Sequence, residues 1–128
     1  MKVFLCISAI WLSSHYLIAQ TGSVQNVKEA LRAGSSRELV QFCNKMVEIN
    51  IDGDVANYDS HQAENVLKQF FSKYPAKSFS YLHEGSSREG LKYAIGEYTH
   101  YKGTHRAYIL FKRVGSNYLV DTIKLTLE

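Results

Sequence analysis

Cysteine is nearly absent: Cys6 and Cys43 are the only two in 128 residues. Cys6 falls in an N-terminal apolar stretch that reads as a leader. One thiol then remains, and an intramolecular disulfide is excluded. Proline occurs once, at Pro75, and no low-complexity linker interrupts the chain. Basic runs are missing too. Fifteen Lys and Arg stand against twelve Asp and Glu, and the basic residues come singly or in pairs such as His105-Arg106 and Lys112-Arg113. A surface that tracks phosphates needs a sustained basic stripe, so nucleic acid is not among the expected partners. There is no Asn-x-Ser/Thr sequon, no phosphate-binding glycine loop and no metal-ligand spacing. No cofactor and no metal are therefore expected.

What is present begins with the leader. Met1-Lys2 gives a positive start, Val3 to Leu12 an apolar run, and Tyr16-Leu17-Ile18-Ala19 a small residue before Gln20. That order is the order of a secretory signal, with cleavage expected after Ala19. Ser13, Ser14 and His15 interrupt the stretch, which is shorter than the ~20 apolar residues of a spanning helix. The expected arrangement is a signal peptide over 1–19 and a single α+β domain over 20–128. The mature chain is exported, to the periplasm or the cell surface, and has no membrane span. It loses Lys2 and so carries a net charge of +2.

Periodicity divides the mature chain in two. Val24, Val27 and Leu31 predict a helix ended by Gly34. Ser35-Ser36-Arg37-Glu38 reads as a capping box for a second helix, with Leu39, Phe42, Cys43 and Met46 as its buried stripe. Val47, Ile49 and Ile51 alternate as a strand, and Asp52-Gly53 makes a tight hairpin turn. The acids around that turn do not match a calcium loop, which needs a glycine at its sixth position and a distant Glu. Asp59-Ser60 caps a third helix, with Gln62 placed for a capping box and Pro75 as the stop. Residues 77–84, 91–101, 104–114 and 118–127 then read as four antiparallel strands joined by short turns. The fold class is α+β, with helices on one face of an antiparallel sheet.

This order resembles the nuclear transport factor 2-like (cystatin-like) fold, a strongly bent sheet wrapped around helices as a cone. Three segments go further: His83-Glu84-Gly85-Ser86-Ser87, Leu91-Lys92-Tyr93-Ala94-Ile95-Gly96 and His105-Arg106-Ala107-Tyr108. Together they resemble a family of small exported Bacteroidetes proteins known as a domain of unknown function. The resemblance implies the cone fold and no particular chemistry, because the superfamily holds isomerases, dehydratases, adaptors and non-enzymes.

Two faces of the meander carry candidate sites. With Lys102-Gly103 as the turn, one face holds Ala94, Gly96, Tyr98, His100, His105, Ala107, Ile109 and Phe111. A three-residue loop at Gly115 to Asn117 adds Leu119, Asp121, Ile123 and Leu125. Asp121 on this apolar face is tied to Arg113, left at the frayed rim of the sheet, or a general base in the cone mouth with Tyr98 or His100 as hydrogen-bond partner. The opposite face holds Tyr93, Ile95, Glu97, Thr99, Arg106, Tyr108, Leu110, Thr122 and Lys124. Glu97, Arg106, Tyr108 and Tyr93 form a mixed aromatic and charged patch of the kind found at interfaces. The expected partners there are a second copy of the chain or a protein or peptide, and the cone mouth suits a small apolar ligand. His100 and His105 approach across the turn without a third metal ligand. Cys43 reads as a small buried hydrophobe. The leading reading is an exported, non-catalytic binding module, and the alternative is a small cofactor-free isomerase or dehydratase using an acid/base pair in the cone.

Overall fold

The computed structural model describes residues 23–128. The leader expected at 1–19 lies outside them. Three helices and six strands follow one another: α1 (Ser23–Ala33), α2 (Ser36–Gln41), β1 (Cys43–Ile51), β2 (Asp54–Asp59), α3 (Ser60–Lys73), β3 (Ala76–Ser86), β4 (Leu91–His100), β5 (Gly103–Val114) and β6 (Asn117–Leu127). The strands form one curved, open sheet in the order β2-β1-β6-β5-β4-β3. The helices pack on one face of it, with α1 against β3 and α3 against β1 and β2.

Local chemistry sets the helix ends. Ser35 caps α2 by accepting the Glu38 amide, and Gly34 takes the positive φ that turns the chain out of α1. At α3, Asp59 accepts the Gln62 amide at 2.9 Å while the Gln62 side chain accepts the Asp59 amide at 3.3 Å, a complete capping box. The buried side of α3 is Ala63, Leu67, Phe70 and Phe71. These residues meet Val47, Ile49, Phe79, Tyr98, Ile109, Phe111, Ile123 and Leu125 of the sheet. Tyr98, Phe79, Phe111, Leu67 and Leu31 are fully buried and fill the space between helices and sheet.

Three expectations need correction. The second helix stops at Gln41, and Cys43 and Met46 belong to β1 rather than to a helical stripe. Cys43 aligns with Val120 of parallel β6 and Met46 with Asp59 of β2, so sheet pairing overrides the helical periodicity. The β4–β5 turn is Tyr101-Lys102, one residue earlier than expected, so His100 pairs with Gly103 and Ala94 with Ile109. That slip moves each partner by two positions, and an even shift keeps every side chain on its face. The β5–β6 turn holds two residues, Gly115 and Ser116, since Val114 pairs with Asn117. A bulge then restores the register, because Leu110 pairs with Thr122 while Phe111 pairs with Val120.

Candidate functional site

The bulge decides the position of Asp121. It is the extra residue between Val120 and Thr122, so Val120 and Ile123 take the core positions and Asp121 is turned out. Its Oδ2 lies 3.2 Å from Lys112 Nζ, with Lys112 half exposed. The expected base is therefore neither buried nor held by Arg113, whose Nε instead donates to the Gly115 carbonyl. It is also remote from its expected partners. Tyr98 pairs with His105, five to six residues along β5 from the bulge, which at ~3.3 Å per residue is about 15–20 Å.

The structure joins His100 to a different acid, Asp52, through His105, and leaves the Tyr98 hydroxyl outside that chain. His100 (3% exposed) and His105 (0%) lie at the end of the sheet, beneath Phe70 and Tyr74. His105 Nε2 is 3.0 Å from Asp52 Oδ2, His100 Nε2 is 2.8 Å from His105 Nδ1, and the Lys102 amide donates to His100 Nδ1 at 3.1 Å. Only one proton arrangement satisfies all three bonds with neutral rings. A carboxylate only accepts, so His105 carries its proton on Nε2. Its Nδ1 then accepts from His100 Nε2–H, and His100 Nδ1 accepts the Lys102 amide. Asp52 Oδ1 accepts the Leu127 amide at 2.7 Å. Burial alone would raise the Asp52 carboxyl, but the Leu127 amide and His105 outweigh it and hold it below its ordinary value. Burial lowers His100, helped by His105 and Lys102. The Tyr98 hydroxyl donates to the Tyr74 carbonyl, and burial pushes it up to about 12.

This relay is closed at every atom and serves first as a clasp. Asp52 sits at φ 52° in the β1–β2 turn and ties that turn to the end of β6. By sequence alone Asp52-Gly53 is a turn pair. The parallel β1–β6 pairing, which sets Ile51 beside Leu125, is what carries Asp52 to His105. Among the described residues no group of three or more His, Cys, Asp or Glu could hold a metal ion. Cys43 is buried, its thiol pushed up to about 12 by burial.

The other face of the sheet is open. A groove of about 620 Å³ lies there, lined by Ile95, Arg106, Tyr108, Lys124, Thr126 and Glu128. Register explains the lining: Ile95, Tyr108 and Lys124 are cross-strand neighbours, as are Glu97, Arg106 and Thr126. All four residues expected to form the aromatic and charged patch stand in or beside this groove. Glu97 lies opposite Arg106 rather than opposite Tyr108, as the turn shift requires. Arg106 Nε is 2.6 Å from Glu128 Oε1, and its Nη2 is 4.0 Å from Glu97 Oε1. Tyr93 and Tyr108 stack with centroids 6.3 Å apart and planes 21° apart. Tyr93 also covers Gly85, where a Cβ would stand 2.4 Å from its ring, and its hydroxyl is 3.0 Å from His83 Nε2.

The family model for a domain of unknown function (DUF4783) matches residues 24–126. The chain belongs to this family. A family member from Bacteroides uniformis is 25% identical, with a TM-score of 0.79 over 84% of this chain and 98% of that one. Another, from Bacteroides fragilis, is 29% identical, with a TM-score of 0.76 over 80% of this chain and 96% of that one. A Nostoc punctiforme domain of unknown function with a cystatin-like fold is 8% identical, with a TM-score of 0.63 over 82% of this chain and 72% of that one, and bears on fold alone. The fold of this family member is nuclear transport factor 2-like and cystatin-like. None of the curated proteins matches.

Proposed function

We propose that this chain is an exported, non-catalytic binding module whose ligand lies in the groove on the outer face of the sheet. The observation that carries the reading is the groove itself. Its volume falls in the range of small-molecule sites, ~300–1,000 Å³, and it joins an apolar floor to a few convergent polar groups. The floor is set before any ligand arrives. Tyr108 is backed by Tyr93, and Tyr93 is fixed by Gly85 and His83. A preorganised wall of this kind lowers the ordering cost of binding.

The alternative, acid/base catalysis inside the cone, has less support. Asp121 is on the outside with Lys112, and the interior is filled by Tyr98, Phe79 and Phe111. The carboxylate near His105 is Asp52, whose oxygens are both engaged. The order of residues 1–19, which is that of a secretory signal, supports the exported part of the proposal, with the periplasm and the cell surface as the two destinations.

A fragment screen by ligand-observed NMR tests the reading with three proteins: wild type, Tyr108→Ala and Tyr98→Phe. Fragments that bind wild type should keep binding Tyr98→Phe and lose Tyr108→Ala. Fragments that need Tyr98 and ignore Tyr108 would place the site in the cone and overturn the proposal.

A further inference from the structure

The outer groove has an uneven charge arrangement. Its lining holds two cations, Arg106 and Lys124, and one acid, Glu128. Glu128 takes the Nε edge of Arg106, while the Nη2 edge has only Glu97 at the limit of ion-pair distance. All three side chains are roughly half exposed, at 52% for Arg106, 40% for Glu128 and 39% for Glu97. Ion pairs of that exposure are weak and exchange readily. Lys124 is exposed, and among the described residues it has no carboxylate within 4.0 Å. It stands directly across from Tyr108, so one cation borders the aromatic floor without an anion of its own.

We infer that the groove takes an amphipathic carboxylate, its apolar or aromatic body on Ile95 and Tyr108 and its carboxylate between Lys124 and Arg106. The inference rests on the proposed binding role of this face and adds the ligand's chemical class. The guanidinium fork of Arg106 matches a planar carboxylate. Glu128 holds one carboxylate oxygen against the Nε of Arg106 and leaves the rest of the fork to Glu97 at the limit of ion-pair distance. The backbone of Glu128 is anchored independently, by its amide to the Thr104 carbonyl at 2.9 Å and by the neighbouring Leu127 amide on Asp52. The Glu128 side chain can therefore leave Arg106 while the strand end stays in place. Charge complementarity selects the occupant: a neutral apolar body would leave Lys124 unanswered, and a cationic one would oppose both Lys124 and Arg106.

Isothermal titration with matched probes tests this: decanoate and 4-phenylbutyrate against 1-decanol and 4-phenyl-1-butanol. The acids should bind at least about tenfold more tightly than the alcohols, a gap typical of a charge-assisted hydrogen bond. Lys124→Gln should reduce that gap. Glu128→Gln should tighten acid binding several-fold by freeing Arg106. Both substitutions are at exposed positions, so the fold is not at stake. Alcohols binding as well as acids, with both lost in Tyr108→Ala, would leave the groove as a binding site and overturn the carboxylate. No binding by any probe, with a dimer in sedimentation that Tyr108→Ala dissociates, would make a second copy the occupant and overturn the inference. No binding and a monomer would overturn the inference together with the binding role assigned to the groove.

Discussion

Lowering the pH from 7.5 to 5.5 is predicted to destabilise the domain through the His100–His105–Asp52 relay. Both imidazole Nδ1 atoms accept hydrogen bonds, from the Lys102 amide and from His100 Nε2–H. A proton added to either ring meets a donor and breaks the chain. The charged groups around the rings are Asp52 in the β1–β2 turn, Lys73 at the end of α3 and Lys102 in the β4–β5 turn. Tyr74 and Tyr98 cover them. The His100 value lies below 6.5, its unfolded reference, chiefly through burial. The unfolded chain therefore takes up a proton first as pH falls. The stability is fully present above pH 6.5 and is lost progressively below it, at up to ~1.4 kcal/mol per pH unit until the folded ring titrates. At pH 5.5 the loss is at most about 1.4 kcal/mol, which sets a ceiling of roughly 5–10 °C on the fall in Tm for a domain of this size. The Asp52 contribution is present above its unfolded value of 3.8 and is lost only as pH falls through its lowered folded value, so it is flat across this window. Thermal unfolding of wild type and a His100→Gln/His105→Gln variant, each at pH 7.5, 6.5 and 5.5, isolates the effect. Wild type should approach the variant's stability as pH falls. Parallel curves would refute the assignment of the titration to the relay.

Other consequences are checked more simply. Leu67→Ala empties a fully buried position between α3 and the sheet and should cost about 2–5 kcal/mol in urea unfolding. Asp121→Asn removes a partly exposed ion pair with Lys112 and should change stability by less than ~1 kcal/mol, whereas a buried catalytic carboxylate would respond strongly. Gly85→Ala drives a methyl into the Tyr93 ring; the loss of its stack on Tyr108, of order 0.5–1.5 kcal/mol, should appear in unfolding and in the ring–ring NOEs. Cys43 should stay silent to a disulfide-exchange reagent in the native protein and react once unfolded.

The sequence and the structure agree where local rules act alone. The α3 capping box is written in Asp59 and Gln62, and the two faces of the β4–β5 hairpin follow from alternation that survived a misplaced turn. The disagreements come from pairing between distant segments. Cys43 to Met46 have helical spacing but are claimed by β6 and β2. Asp121 obeys the alternation of its strand on paper, and one bulge residue reverses its meaning. Asp52 reads as a turn former and is one, while its second role depends on a parallel neighbour that no short-range pattern encodes. The outer patch was legible because alternation alone gathers Tyr93, Glu97, Arg106 and Tyr108 on one face. The groove between β4, β5 and β6 was not, since its shape comes from the curvature of the sheet.

Backbone amide mapping by ¹H–¹⁵N NMR during a titration with 4-phenylbutyrate tests the central claim most directly. The account predicts shifts concentrated at Ile95, Arg106, Tyr108, Lys124 and Thr126, with Tyr98 and Phe79 undisturbed. Shifts centred on Tyr98, Phe79 and His105, with the outer strand positions silent, would contradict it.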